Sequence, residues 1–270
     1  MAKKPAKKPS IGRILITNDD GIHAPGLKSL EKIAKALSDD VWVVAPEQEQ
    51  SGAGRSLTLS DPIRVRKVSA RRFAVKGTPT DCVLMAVRHL MAETPPVLIL
   101  SGVNRGQNIA DDVTYSGTIA AAMEGTALGI PSIAMSQAYG FTDGALLKWG
   151  TAEHFGPEII RSLLAQGWPD NVLINVNFPD MPHGDVKGVR VTKQGKRDQS
   201  NLKIEEREDG RGHPYFWFGF NKVPSKPKQD TDLHAVYSGY ISVTPLHLNL
   251  SHTATQKRLS ASLNMSFGLE

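Results

Sequence analysis

Five short apolar runs separated by helix-like segments constrain this chain more than any other feature. They are "RILIT" (13–17), "VWVVAP" (41–46), "PVLILSG" (96–102), "IPSIAMS" (130–136) and "NVLINVNFP" (171–179). Runs this short and this apolar suit strands that are covered on both faces. Between them, Leu27, Leu30, Ile33, Ala34 and Leu37 recur at helical spacing. A second helix starts near Thr80 and carries Val83, Leu84, Val87 and Leu90. "TIAAAMEGTALG" and residues 146–165 supply two more. Alternation of this kind predicts an α/β fold built on a doubly wound, mostly parallel sheet. "PIRVRKV" (62–68) and "RFAVKG" (72–77) alternate with period two and predict a hairpin beside it.

From about residue 186 the character changes. "GVRVTKQ" and "GRGHPYFWFGFNK" read as antiparallel strands, "KVPSKPKQDTD" (222–232) as a connector, "AVYSGYISVTPL" (235–246) as one more strand, and 251–264 as a C-terminal helix. The expected organisation is a lysine-rich leader (1–11), a core (12–195), a β-rich extension (196–250) whose last strand returns to the core, and a C-terminal segment (251–270). Within the extension, Tyr215, Phe216, Trp217, Phe218 and Phe220 form an aromatic strip. We read it as core or subunit contact rather than a base-stacking platform.

A chain of 270 residues buries roughly three quarters of its unfolded surface and needs no covalent staples. Its one cysteine, Cys82, excludes an intramolecular disulfide and suits a reducing compartment. No apolar run has the length of a membrane span, and no hydrophobic segment follows the N-terminal lysines, so the expectation is a cytoplasmic protein. The net charge is +5, but Lys3, Lys4, Lys7 and Lys8 of the leader carry four of those charges. A Lys/Pro/Ala segment buries little apolar surface and is expected to be a disordered, solubilising tail. The charge therefore does not argue for a nucleic-acid or membrane partner.

Ligands of open parallel sheets bind beyond the carboxyl ends of the strands, and the unusual residues cluster there. Asn18, Asp19, Asp20 and Gly21 follow the first strand. Ser51, Gly52, Gly54 and Arg55 follow the second, and Asn104 and Asn108 follow "VLILSG". Adjacent carboxylates at a buried strand end repel each other and lose hydration unless a cation neutralises them. Carboxylate, amide and hydroxyl oxygens are hard donors suited to Mg²⁺, Mn²⁺ or Ca²⁺, and no zinc-type His or Cys spacing is present. Ser116, Gly117 and Thr118 open a helix, where free N–H groups attract phosphate. A cation beside an anion cradle is what metal-assisted phosphoryl transfer needs. Taken singly, Asn-Asp-Asp-Gly is an ordinary turn and Ser-Gly-Thr an ordinary cap. His23, near the acids, is a candidate general base, but a surface residue or a support to the acids is the reading favoured. Arg55 and Arg105 are either phosphate ligands or exposed arginines without a specific task.

Six segments in order, "ILITNDDGIHAPGL", "VVAPEQEQSGAGRS", "GTPTDCV", "LILSGVNRGQN", "YSGTIAAAMEG" and "GYISVTPL", resemble the survival protein E (SurE) nucleotidase family over residues 13–250. The resemblance implies a Rossmann-like core and a metal-dependent phosphatase acting on nucleoside monophosphates at the 5′ and sometimes the 3′ position. It implies one divalent cation, Mg²⁺ or Mn²⁺, held by Asp19, Asp20, Ser51 and Asn104. Of these, Asp19, Asp20 and Asn104 are the expected catalytic set. Ser51, Gly52, Asn108, Ser116, Gly117 and Thr118 are the expected substrate-side residues. It also implies a homodimer or homotetramer formed by exchanged C-terminal hairpin segments. Arg55 departs from the family pattern, and the leader lies outside it. Two other readings stand beside the enzyme: a receiver-like signalling module, and a nucleotide-binding protein without catalysis.

Overall fold

The computed structural model describes residues 10–140, 147–197, 202–220 and 227–264. The expectations for residues 1–9 of the leader, 222–226 of the connector and 265–270 at the C-terminus lie outside the described residues.

The first apolar run forms β1 (Ile14–Thr17), with all four residues buried. Pro25 at the first helical position starts α1 (Pro25–Lys35), and Lys32 and Lys35 complement its carboxyl end. β2 (Val41–Pro46) pairs parallel to β1. The expected hairpin follows: β3 (Arg64–Ser69) is antiparallel to β4 (Arg72–Lys76), and β4 adds in parallel to β2. Thr78 and Asp81 form a reciprocal capping box at the start of α2 (Pro79–Met85), which runs on into a π-helical turn at Ala86–Leu90.

β5 (Leu98–Arg105) then takes the free edge of β1. α3 (Gly117–Ala127), β6 (Ser132–Gln137), α4 (Trp149–Gln166) and β7 (Val172–Phe178) complete the parallel core. With β8 (Val189–Val191) and β11 (Ile241–His247) added, the sheet has nine strands in the order β3-β4-β2-β1-β5-β6-β7-β11-β8.

Both faces are covered, as the continuous apolar runs predict. Ile14 and Ile16 pack with Leu27, Leu30 and Ile33 of α1 and Ile160 of α4. Leu15, between them, packs on the other face with Val83 of α2 and Ala121 of α3. Each such side chain stabilises the fold by about 1.5–3 kcal/mol when fully buried. Ile11 also packs against the first cluster, and its N–H donates to the Leu37 carbonyl at 3.2 Å. No helix among the described residues is long and apolar enough to cross a membrane.

The carboxyl-terminal third differs from the sequence reading in three places. Residues 235–246 are not one strand. They are the second half of α5 (Asp232–Tyr237), a turn at Gly239 with φ +84°, and β11. Thr231 caps α5, and Asp232 is fixed by N–H groups from Ala110, Gly195 and Leu233, each at 2.8 Å, so tertiary bonds override the strand preference of Val236 and Tyr237. β8 is not antiparallel; it pairs parallel to β11 at the sheet edge. β9 (Leu202–Glu208) and β10 (Pro214–Phe220) do form an antiparallel hairpin, as a separate two-stranded sheet. Its aromatic strip is not core within this chain, because Phe216, Trp217 and Phe218 are all exposed, Phe218 by 78%. α6 (Thr253–Leu263) matches the expected terminal helix.

Candidate active site

Strand order reverses between β1 and β5: β2 and β4 lie to one side of β1, and β5, β6 and β7 to the other. A crevice opens beyond the carboxyl ends of the strands at such a point. Asn18-Asp19-Asp20-Gly21 sits on its β1 side. The Asn18 side-chain amide donates to the Gly21 carbonyl at 3.0 Å and closes the turn, and Gly21 takes φ +98°, which favours glycine. Two backbone bonds sew this turn to the end of β2. The Ile22 N–H donates to Pro46 O, and the Gln50 N–H donates to Asp19 O, both at 2.8 Å. The serine loop is thereby docked against the first aspartate.

Asp19 is buried and faces the start of α3. Its Oδ1 accepts the Thr118 hydroxyl at 2.6 Å. Ser116 caps the helix, its Oγ accepting the Ile119 N–H at 3.1 Å. Gly117 between them is required by close approach: a β-carbon there would lie 2.7 Å from Asp19 Cβ and 3.0 Å from its Oδ2. Asp20 is half-buried and faces the β5 loop, where the Arg105 N–H donates to its Oδ2 at 3.4 Å. The neighbouring Asn104 commits its amide nitrogen to Gly106 O at 2.9 Å, a bond that does not use its carbonyl oxygen.

The environment is hostile to negative charge. Burial pushes the Asp19 carboxyl above its ordinary range, against the opposing Thr118 bond. Burial first, and the charge of Asp19 second, push Asp20 up to about 6. The carboxylate of Glu49 pushes both in the same direction, while Arg105 pulls Asp20 down. Glu49 also accepts the Ser51 hydroxyl at 2.9 Å. Its place two residues before Ser51 was visible in the sequence, but only the fold shows that its charge reaches both aspartates.

Three buried oxygens where β1 ends against β5, Thr17 Oγ1, Asn18 Oδ1 and Ser101 Oγ, have no hydrogen-bond partner among the described residues. Thr17 and Ser101 face each other in register. Among the described residues no three His, Cys, Asp or Glu side chains are grouped as a metal cage. Apart from the Glu49 carboxylate, the oxygens described beside the acid pair are neutral. Two destabilised carboxylates with amide and hydroxyl oxygens beside them fit a hard divalent cation.

The sequence profile described as survival protein SurE matches residues 14–201. The chain belongs to the SurE family. It is 64% identical to the 5′-nucleotidase SurE of Parvibaculum lavamentivorans, over 93% of this chain and 91% of that one. It is 61% identical to the 5′-nucleotidase SurE of Caulobacter vibrioides, over 93% of this chain and 96% of that one. The crystal structure of the SurE protein from Aquifex aeolicus superposes with a TM-score of 0.80 at 38% identity, covering 92% of this chain and 98% of that one.

The remaining expected residues of this SurE chain fall into two groups. Ser51 and Gly52 are exposed on the loop, and the Ser51 hydroxyl bonds to Glu49 rather than to an aspartate. Asn108 is buried and knitted to β7. Its N–H donates to Asn177 Oδ1 at 2.8 Å, and its carbonyl accepts the side-chain amides of Asn175 and Asn177 at 2.8 and 3.0 Å. Its own amide reaches Ser136 at 2.9 Å. Asn175 and Asn177 were not singled out in the sequence because both lie inside an apolar strand. Arg55 pairs with Glu124 of α3 at 2.9 Å, and His23 is exposed. The "GTPTD" segment is a clamp. Thr78 Oγ1 donates to Ser56 O at 2.8 Å, and Asp81 takes the Thr58 hydroxyl at 2.6 Å, so the serine loop is tied to α2. A receiver-like role has no acceptor aspartate at the end of β5, which closes with Asn104 and Arg105.

Proposed function

We propose that this SurE family protein is a divalent-cation-dependent 5′-nucleotidase that hydrolyses nucleoside monophosphates to nucleoside and inorganic phosphate. The observation that carries this reading is the acid pair at the sheet's reversal point, with Asp19 pressed against the start of α3 and Asp20 pushed up to about 6. Asp19 and Asp20 are the charged ligands, with Ser51 and Asn104 as neutral ones. Mg²⁺ or Mn²⁺ held there supplies phosphate neutralisation and a water acidic enough to act as nucleophile near neutral pH.

The chain's own groups do the rest. The free N–H groups at the start of α3, around Ser116, Gly117 and Thr118, hold phosphate oxygens as charge builds on phosphorus. The Thr118 hydroxyl keeps Asp19 in one orientation. Asn108 and the serine loop with Gly52 border the substrate, and the Asn175–Asn177 pair fixes Asn108. Both aspartates are assigned as ligands rather than as bases, because a bound dication lowers a carboxylate's pKa and weakens it as a base.

The reading extends to a cytoplasmic protein with no nucleic-acid or membrane partner, to 3′-nucleotides and polyphosphate as further substrates, and to a homodimer or homotetramer. The exposed aromatic face of the β9–β10 hairpin supports assembly through exchanged segments. The organisation proposed is the leader, the catalytic core, the hairpin extension and the terminal helix. A phosphate-release screen over nucleoside 5′- and 3′-monophosphates with Mg²⁺, Mn²⁺ and Ca²⁺ tests it. Release should require a cation and be lost in Asp19→Ala and Asp20→Asn. No release from any nucleotide, or an unchanged rate in Asp20→Asn, overturns the reading.

A further inference from the structure

We propose that Arg105 and Tyr139 form the nucleoside-holding wall of the site, taking the nucleobase by stacking, and that they set the preference for nucleotides over other phosphomonoesters. The proposal rests on the nucleotidase reading and adds the residues that would make it selective.

Three observations carry it. The first is position. Arg105 is the last residue of β5 and pairs in register with Gln137, the last residue of β6. Tyr139 follows two residues later, so the two side chains stand side by side beyond the carboxyl edge of the sheet. Arg105 also touches the acid pair directly, through its N–H to Asp20 Oδ2 at 3.4 Å. A phosphate held at Asp20 and α3 therefore has this pair as its neighbour on the β5–β6 side.

The second observation is what the guanidinium does. Three other arginines are paired with carboxylates: Arg55 with Glu124, Arg66 with Glu47, Arg72 with Glu31. The Arg105 guanidinium lies over the Tyr139 ring, 5.2 Å from its centroid, with its charge also felt by Asp20. Planar guanidinium and aromatic groups are the two surfaces on which unpaired bases stack.

The third is anchoring with exposure. Tyr139 is 39% exposed, and the backbone leading into it is fixed. Ala138 is fully buried, and its N–H donates to Phe178 O at 2.8 Å. The Tyr139 N–H points to Gln107 Oε1 at 3.5 Å. Gly106, next to Arg105, donates to Gln137 O at 2.9 Å, which holds the two strand ends together. The result is a planar pair at the joined ends of β5 and β6, open to solvent and on the side of the proposed phosphate position. Stacking does not read base edges, so such a wall binds purine and pyrimidine nucleotides alike and gives weak base preference.

The test compares kcat/KM for adenosine and cytidine 5′-monophosphates with that for ribose 5-phosphate. It uses Mn²⁺ and the full chain, in wild type, Tyr139→Ala, Tyr139→Phe and Arg105→Ala. Loss of one base-stacking partner should lower the nucleotide to ribose-phosphate ratio roughly tenfold in Tyr139→Ala, mainly through KM. Tyr139→Phe, which keeps the ring, should restore most of the ratio. Arg105→Ala should lower it in the same direction. A parallel fall on both substrates would mean that the pair supports the phosphate or the fold, and would overturn the proposal. So would an unchanged ratio in Tyr139→Ala. Wild type releasing phosphate from no nucleotide would instead sink the nucleotidase reading itself, so the two failures are distinguishable.

Discussion

Replacing Gly117 by alanine should unseat Asp19, and the size of the effect follows from the contact distances. The added methyl lies 2.7 Å from Asp19 Cβ, 3.0 Å from its Oδ2 and 3.1 Å from Pro79 Cγ. None of these neighbours is the far end of a long flexible side chain. To reach ordinary contact near 3.4 Å, the start of α3 must retreat by about 0.7 Å. That shift stretches the 2.6 Å Thr118–Asp19 bond past the usual hydrogen-bond range. A bond to a charged group contributes about 1.5–3 kcal/mol, and overpacking a close contact costs about 1–3 kcal/mol. Alanine's better helix propensity returns at most about 1 kcal/mol. The net loss is about 3 kcal/mol, a large share of an ordinary domain's stability. In urea denaturation the midpoint should fall by about 1 M with an unchanged slope. Titration calorimetry should show weaker Mn²⁺ binding. Thr118→Ser keeps the hydroxyl and should stay near wild type on both readouts. If Gly117→Ala matches wild type in urea midpoint and Mn²⁺ affinity, the helix start is not what positions Asp19.

Three further outcomes follow from the same geometry. Because the Asp20 carboxyl is pushed from 3.8 to about 6, the folded chain keeps a proton there that the unfolded chain has released. Its contribution to stability is full below about 3.8 and is lost as pH rises through 6. The cation-free melting temperature of wild type should therefore drop relative to Asp20→Asn between pH 4 and 7, with Mn²⁺ reversing the loss; parallel curves would contradict this. Glu49→Gln removes a third negative charge from the site, so Mn²⁺ affinity should weaken by up to about fivefold, the scale of an exposed charge, and stronger binding would exclude an attractive role. Trp217→Ser with Phe218→Ser should convert the sedimenting species to monomer while leaving the far-ultraviolet dichroism unchanged, because neither ring is buried within the chain; an unchanged sedimentation coefficient would remove the hairpin from the interface.

How much of this was legible in the sequence depends on whether the cause was local. "VWVVAP" became β2 with its bounds intact because a doubly covered strand needs only a short apolar run. The strand ends that carry Asp19, Ser51 and Asn104 were readable for the same reason, since the loops inherit their place from the strands. What failed was set by distant partners. Val236 and Tyr237 favour strand, yet Asp232 collects N–H groups from positions 110 and 195 and holds a helix there. The aromatic strip is a consecutive run, and of its two readings, core or subunit contact, the first fails within this chain because the hairpin is a separate two-stranded sheet with exposed rings. Glu49, Asn177 and Tyr139 carry no signature of their own; each gains its meaning from a neighbour brought close by the sheet order.

The acid pair itself changes character in the same way. Adjacent in sequence, Asp19 and Asp20 looked like equivalent charges forced together. Consecutive side chains diverge as the chain leaves a strand. Asp19 turns inward to Thr118 and Gly117, and Asp20 turns outward to the backbone of Arg105. Their mutual repulsion is therefore not the main cost: burial outranks it in raising Asp20. A dication held by both would restore the solvation they have lost, which repositioning one acid could not do. On this argument, substituting either aspartate by asparagine should stabilise the cation-free fold while abolishing its response to Mn²⁺. A variant that kept a normal Mn²⁺-induced rise in melting temperature would place the cation somewhere other than this pair.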